Sequence, residues 1–244
     1  MKRIAIVVLF LCSVFHTAAF ADDENRTSVS TSSQESTSIL SKLGSVSANL
    51  GLTSDFVFRG QSLTNHNPAV QGGLDWNHPL GFYLGAWGSN VKLPDSPAMI
   101  EADMYGGWGF ALNSDTTLST GAIFYTHPNY SEGNTLEFPL LLSWKNTKTS
   151  LNYAPHWGGG DAGHSWYVNT GWSPKIRGNM TLNLNVGYSM FTPDLGINNY
   201  ADFHAGLSRE MLGLTFDLSG YFVNRQQMSG LDDPRAVLSM TKTL

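Results

Sequence analysis

The residues that could do chemistry in this sequence are charged side chains interleaved with apolar ones at a spacing of two. Alternate side chains of an extended strand share one face, so the charged positions collect on a single surface. Glu101 and Asp103 form the densest acidic spot there, and rings of acids favour cations in pores. The alternative is that these acids are paired structural residues. The surface carries two bases, Arg59 and Lys145, against a larger set of acids, Asp55, Asp75, Glu101, Asp103, Glu137, Asp202 and Asp217.

Asp55 and Arg59 share one face of the first apolar segment but are four residues apart. At the usual rise of a strand this spacing is about 13 Å, so the two side chains are not predicted to be direct partners. Gly60 permits a turn at this point, which predicts that the first strand leaves the sheet there. Arg59 is accordingly predicted to be a solvated arginine on the rim. The alternative is that it pairs with acids of neighbouring strands near the outer mouth.

Catalytic and metal-binding patterns are weak in this sequence. No Gly-x-Ser-x-Gly or His-x-Ser element accompanies the histidines, which argues against a lipid-modifying enzyme built on a barrel. The glycine-rich loop 158–164 offers too few ligands for a cation and lacks the Lys-Ser and helix of a phosphate loop. We therefore predict no enzyme activity, no cofactor and no metal. The histidines considered are His66, His78, His127, His156, His164 and His204.

The elements that position these residues are predicted to be strands, because apolar residues recur with a period of two. On the first segment Leu50, Leu52, Phe56 and Phe58 are predicted to share the apolar face. Many segments match the roughly 9 to 11 residues that cross a bilayer at a tilt. Twelve strands are predicted, at 45–58, 67–77, 80–91, 98–112, 116–125, 134–145, 148–156, 164–173, 178–190, 199–210, 212–224 and 235–244.

The connections between these segments alternate between tight turns and long polar loops. Tight turns are predicted at 77–79, 113–115, 146–147, 173–175 and 210–211, and long loops at 60–66, 92–97, 126–133, 157–163, 191–198 and 225–234. Short turns on one rim, long loops on the other and an even strand count are typical of an outer-membrane barrel. We therefore predict an all-β, transmembrane, antiparallel up-and-down barrel.

The N-terminal region and the composition agree with an exported protein. Residues 1–21 have the basic start, apolar run and small residues of a signal peptide, with cleavage predicted after Ala21. Residues 22–43 are rich in serine and threonine and are predicted to be a disordered leader, so the barrel domain is 44–244. The formal charge is -5 and becomes more negative when Lys2 and Arg3 are removed, which argues against nucleic acid as a partner. The single cysteine, Cys12, lies in the predicted signal peptide.

The start of the predicted barrel resembles a known family. The segments SANLGLTSDFVFRGQS at 47–62, PAVQGGLD at 68–75 and GFYLGAWGSNV at 81–91 are similar to the opening motif of the TorF-like outer-membrane porins of proteobacteria. The resemblance is specific over 47–91 and implies an exported barrel with a pore function. The chain departs from the usual pattern of such barrels at Leu244, where an aromatic residue commonly stands.

The sequence thus predicts an outer-membrane porin with a narrow, cation-preferring pore for small solutes. A non-conducting structural or adhesive barrel is the main alternative, and a lipid-modifying enzyme is the other. The expected partners are outer-membrane lipid, the barrel-assembly machinery, and small solutes or ions, while association between barrels is left open. The residues predicted to line the pore are Asp55, Arg59, Gln71, Asp75, Glu101, Asp103, Glu137, Asn183, Asn185, Asp202, His204 and Asp217.

Overall fold

The computed structural model describes residues 43–94, 96–159, 163–224 and 230–244. The predicted signal peptide and nearly all of the predicted leader lie outside the described residues. Twelve long strands are present: β1 (Ser45–Thr53), β4 (Ala69–Asn77), β5 (Phe82–Asn90), β6 (Ile100–Asn113), β7 (Thr116–Thr126), β8 (Thr135–Trp144), β9 (Thr147–Ala154), β10 (Ser165–Trp172), β12 (Met180–Phe191), β13 (Tyr200–Met211), β14 (Leu214–Val223) and β15 (Arg235–Thr243). Three two-residue strands complete the set: β2 (Val57–Phe58), β3 (Gln61–Ser62) and β11 (Lys175–Ile176).

The long strands form one closed antiparallel barrel. Each pairs with its neighbours in chain order, and β1 closes the ring by pairing with β15, where Asn49 lies opposite Thr243 and Thr53 lies opposite Ser239. Closure removes the edges of the barrel sheet, so the backbone groups of the described wall are satisfied within it. The predicted fold class is confirmed.

The two faces of the wall follow the predicted alternation. Apolar side chains such as Leu50, Leu140 and Leu218 point outwards and are about half exposed, whereas the polar residues between them point into the lumen and are shielded. A soluble protein rarely exposes so continuous an apolar belt, and a belt of this kind is the lipid-facing surface of a membrane barrel. Among the described residues, no helix is both long and apolar enough to cross a bilayer.

The connections separate into two rims. The short-turn rim carries the connections β4–β5, β6–β7, β8–β9, β10–β12 and β13–β14, and the long-loop rim carries the others. Two predicted turns were misplaced: Lys175 belongs to β11 and the chain turns at 177–179, and Glu210 and Met211 belong to β13 and the chain turns at Leu212 and Gly213. Both turn residues have positive φ, of 55° and 70°, as a type I′ hairpin requires.

The first strand is shorter than predicted. It ends at Thr53 instead of residue 58, and residues 54–68, here called the lumen segment, fold back into the barrel. Within this segment β2 and β3 form a small hairpin whose turn is Arg59 and Gly60, with φ of 45° and 81°. The turn is again of type I′, which suits a two-residue hairpin.

The lumen segment fills the half of the barrel nearest the long-loop rim with an apolar core. Phe56 and Phe58, predicted to face outwards, are instead 3% and 0% exposed. They pack with Leu63 against inward-facing residues of the wall and the loops, including Trp87, Ile123, Tyr125 and Trp157. The alternation that continues through Phe56 and Phe58 therefore reflects a second core inside the lumen and not a longer wall strand.

Candidate functional site

The half of the lumen nearest the short-turn rim contains an open chamber. Its volume is about 600 Å³, within the range of sites for small molecules. The tip of the lumen segment, Arg59 and Gly60, forms its inner end, while Lys145, Asn146 and Ser173 border its mouth. Its walls come from β9, β10 and β12 to β14 and include Lys148, Asn169, Asn183, Asn185, His204 and Tyr221.

Arg59 crosses the lumen and attaches the tip to the opposite wall. Its Nη2 donates to both carboxylate oxygens of Glu137 on β8, at 2.9 and 2.7 Å. Its guanidinium also lies 4.0 Å from the ring centroid of Tyr167 on β10, a cation–π contact. Burial alone would lower the pKa of Arg59, but the carboxylate of Glu137 and the hydroxyl groups of Tyr125 and Tyr167 together outweigh burial, and the pKa is raised. The prediction of a solvated rim arginine is therefore wrong, and the alternative of pairing with a strand acid is the arrangement observed.

Asp55 anchors the base of the lumen segment. Its Oδ1 accepts hydrogen bonds from the hydroxyls of Ser62 and Thr64, at 2.5 and 2.8 Å, within the same segment. Its Oδ2 lies 3.3 Å from the guanidinium of Arg235 on β15 and 3.3 Å from the imidazole of His66. Asp55 thus belongs to the lumen segment and not, as predicted, to the first wall strand.

Glu101 and Asp103 share the inward face of β6, as predicted, but water does not reach them. They are 0% and 2% exposed, and Glu101 Oε2 lies 3.4 Å from Nε2 of His127 in the next long loop. Burial lowers the pKa of His127 to about 4, so its imidazole is neutral at pH 7. The densest acidic spot in the sequence is therefore packed into the closed half of the lumen. Whether it influences ions stays a prediction.

The other predicted residues on the wall also face inwards, and several have partners there. Asp75 accepts a hydrogen bond of 2.6 Å from Tyr105, and Asp202 accepts one of 3.2 Å from Tyr167. Asn183 on β12 donates to Asp217 on β14, across β13, while Gln71 donates to Ser89 and His204 lies beside Ser219 on the adjacent strand. Asn185 borders the chamber.

The set of bases differs from the predicted one. Lys145 lies in the β8–β9 turn, with its side chain 59% exposed and 3.9 Å from Asp115, so it is a residue of the rim and not of the interior. Sequence analysis missed Lys148 and Arg235, which both point inwards. Strand alternation from Ser150 and Asn152 would have placed Lys148 on the inner face, and alternation from Val237 and Ser239 would have done so for Arg235.

One polar cluster superficially resembles a hydrolytic site. Ser219 lies between His204 and Asp217, with its hydroxyl 2.9 Å from His204 Nε2 and donating to Asp217. In a catalytic triad the histidine stands between the acid and the serine, so that it can take the proton of the hydroxyl. Here the serine occupies the middle position, and its proton is already held by the carboxylate. The described residues contain no group of three or more His, Cys, Asp or Glu side chains able to hold a metal.

Tyrosine rings occupy the opposite side of the lumen. Tyr105 on β6 lies flat over Gly85 on β5, directly opposite, and so reaches Asp75 on β4. Tyr83 lies in the same way over Gly107 and Gly121. A side chain larger than hydrogen at these glycines would collide with the rings. The open chamber is therefore restricted to the side formed by β8 to β14.

The barrel is similar to solved porin structures. The structure titled "KdgM porin" matches with a TM-score of 0.53 at 11% sequence identity, covering 80% of this chain and 98% of that chain. The structure titled "NanC porin structure in rhombohedral crystal form" matches with a TM-score of 0.52 at 12% identity, covering 82% of this chain and 98% of that chain. At these identities the likeness shows the fold alone.

Sequence comparison identifies a family without an assigned activity. No curated protein matches the sequence significantly. A family model described as "Bacterial protein of unknown function (Gcw_chp)" matches residues 41–236, which include nearly the whole barrel. The resemblance to TorF-like porins is not shown by these matches and stays a prediction.

Proposed function

The chain belongs to the Gcw_chp family of bacterial proteins of unknown function, and from its porin-like barrel we propose that it is an outer-membrane porin for small solutes. The observation that carries this proposal is the chamber of about 600 Å³, which opens at the short-turn rim inside a closed, apolar-belted wall. Side chains can fill the interior of an eight-stranded barrel, whereas twelve strands enclose a wider lumen, of which this chamber is the unfilled part. Export by a signal peptide cleaved after Ala21, and insertion by the barrel-assembly machinery, belong to the same proposal.

We further propose that the pore prefers cations. Over the whole lumen the inward-facing acids outnumber the inward-facing bases even when Lys148 and Arg235 are counted, although the charged residues that line the chamber itself are Arg59, Lys145, Lys148 and Asp202. A narrow passage with low-dielectric walls concentrates the resulting negative potential. The effect should weaken as salt rises, because the screening length falls from about 30 Å at 0.01 M to about 3 Å at 1 M.

Single-channel recording in planar bilayers tests both proposals. Purified, refolded protein should give reproducible conductance steps, and a salt gradient should give a reversal potential of the sign for cations. Liposome swelling with neutral sugars of increasing size would then define the largest solute that passes. An anion-selective channel would disprove the charge argument while leaving the pore intact.

A second candidate function is a non-conducting structural barrel, and one observation favours it. The half of the lumen nearest the long-loop rim is filled by the lumen segment, in which Phe58, Gln61, Leu63 and Thr64 are fully buried. Folded protein that never conducts, even after residues 54–68 are replaced by a short turn, would support this candidate. Conductance by that shortened barrel would show that the wall encloses a pore.

A further inference from the structure

The lumen segment is attached very differently at its base and at its tip. At the base Asp55 holds two hydroxyls of the segment and faces Arg235 of the wall. Two backbone hydrogen bonds add to this attachment, from Ser62 to Leu231 and from Lys92 to Leu63, both of 2.8 Å. The base is therefore tied to the wall and to two other long loops.

One side chain joins the tip to the opposite wall. Arg59 makes the two hydrogen bonds to Glu137 that join the tip to the opposite wall, and it stacks on Tyr167. The hairpin of β2 and β3 is a separate two-stranded sheet and forms no ladder with the barrel. The tip can therefore leave its site without breaking any backbone hydrogen bond between the strands of the wall.

The chemistry of this attachment suits release better than permanent closure. Replacing a buried ion pair by well-packed apolar residues is often neutral or stabilising, so Arg59 and Glu137 are not needed to make a stable plug. Two separated charges are tolerated only where water reaches them. The open chamber borders Arg59 directly, so water is available to hydrate the guanidinium as the pair separates.

We propose that the lumen segment is a gate, closed in this structure, and that the Arg59–Glu137 ion pair is its latch. The proposal rests on the pore function proposed above. Undocking of the tip connects the chamber with the long-loop rim, while the Asp55 anchor keeps the base in place. Phe58 leaves its buried site in the same movement. Because exposing its ring to water costs free energy, the closed state is the more populated one.

Removing the latch should raise the open probability. Glu137→Gln keeps the size of the side chain but removes its charge, so the docked tip is weakened, and we expect the open probability in planar bilayers to rise by about tenfold. Arg59→Glu should have a similar effect. The double variant Arg59→Glu with Glu137→Arg restores a pair of opposite charges and should return the channel towards wild type. An open probability that is the same in all four proteins would overturn the proposal.

A reversible crosslink tests whether the tip itself blocks the path. In Arg59→Cys with Glu137→Cys the latch is absent, and the two thiols are the only ones in the processed chain. A short bis-methanethiosulfonate crosslinker, which fills the gap left by the two long side chains, should close this channel, and a reducing agent should reopen it. As the control, Thr149→Cys with Thr170→Cys bridges two wall strands on the outer face and should conduct equally before and after crosslinking. Undiminished current through the crosslinked Arg59–Glu137 variant would overturn the gate.

The barrel lacking residues 54–68 separates failure of the gate from failure of the pore. Since β1 and β4 are adjacent antiparallel strands, a two-residue turn can join them. If this barrel folds and conducts steadily while the crosslink has no effect on the full chain, the pore exists and the gate does not. If it folds and never conducts, the proposed pore function itself is wrong.

Discussion

At the scale of single residues, the acids of the lumen differ in how far water reaches them. Glu101 and Asp103 are buried in the closed half, whereas Asp75 and Asp217 are only half-buried. A charge that water and ions can approach influences permeation, while a charge sealed into a core acts mainly through its packing partners. The position of an acid in the sequence does not distinguish these two situations.

The first prediction concerns ion selectivity. Asp75→Asn with Asp217→Asn should move the reversal potential in a salt gradient clearly towards zero, because these carboxylates are only half-buried and water and ions can approach them. Glu101→Gln with Asp103→Asn, chosen from the sequence as the densest acidic spot, should move it less. Both pairs remove the same formal charge, so each serves as the control for the other. A larger shift from the buried pair would place the ion path along β6.

The residues of the site were predicted only in part. Alternation places Glu137, Asp202 and His204 on the inner face, because a strand leaves a side chain only two directions. It cannot place Arg59, because the direction of a loop depends on distant partners: Glu137 is 78 positions away. The arginine is recognisable in the sequence as a turn residue beside Gly60, but its acceptor is not.

At the scale of the strand, lipid-facing and lumen-facing positions should respond differently to a new charge. Leu184 on β12 points outwards, whereas the next residue, Asn185, borders the chamber. Leu184→Arg should lower the free energy of unfolding by roughly 2 to 4 kcal/mol, depending on depth, and Asn185→Arg by much less. Urea titrations of protein refolded into phospholipid vesicles would measure both. A larger loss from Asn185→Arg than from Leu184→Arg would mean that the two faces of β12 are reversed.

A further prediction concerns the tyrosine that bridges three strands. Gly85→Ala places a methyl group where the ring of Tyr105 lies and should separate Tyr105 from Asp75. The expected loss is about 1 to 3 kcal/mol, as for other overpacked sites. Tyr105→Ala removes the ring, so Gly85→Ala should cost little in that background. Additive losses in a double-mutant cycle would show that the ring does not rest on Gly85.

The strands were easier to predict from the sequence than the point where the first one ends. The wall strands and the tight turns between them depend on local alternation and on turn residues, both of which are visible along the chain. The alternation at Leu50 and Leu52 continues through Phe56 and Phe58, although the first pair faces outwards and the second pair faces a core within the lumen. A periodic pattern reports that one face is apolar and does not report what covers it.

At the scale of the whole molecule, the two rims should lie on opposite sides of the membrane. Asn129 is exposed on the long-loop rim and Asn146 on the short-turn rim. Because the only natural cysteine, Cys12, lies in the predicted signal peptide, Asn129→Cys in intact cells should react with a membrane-impermeant maleimide, while Asn146→Cys should react only after the cells are broken. The reverse order of labelling would mean that the barrel has the opposite orientation in the membrane.

The long reach of the lumen segment has a consequence for biosynthesis. Its base pairs with a residue 180 positions later, and its tip touches side chains from β8, β10, β13 and β14. Contacts this distant in sequence form late, and the surface that receives the tip does not exist until most of the wall is complete. If the barrel is the pore proposed above, we expect each new barrel to leak until the hairpin docks. Dye-loaded vesicles should show this as a burst of release during refolding that stops as sealing finishes.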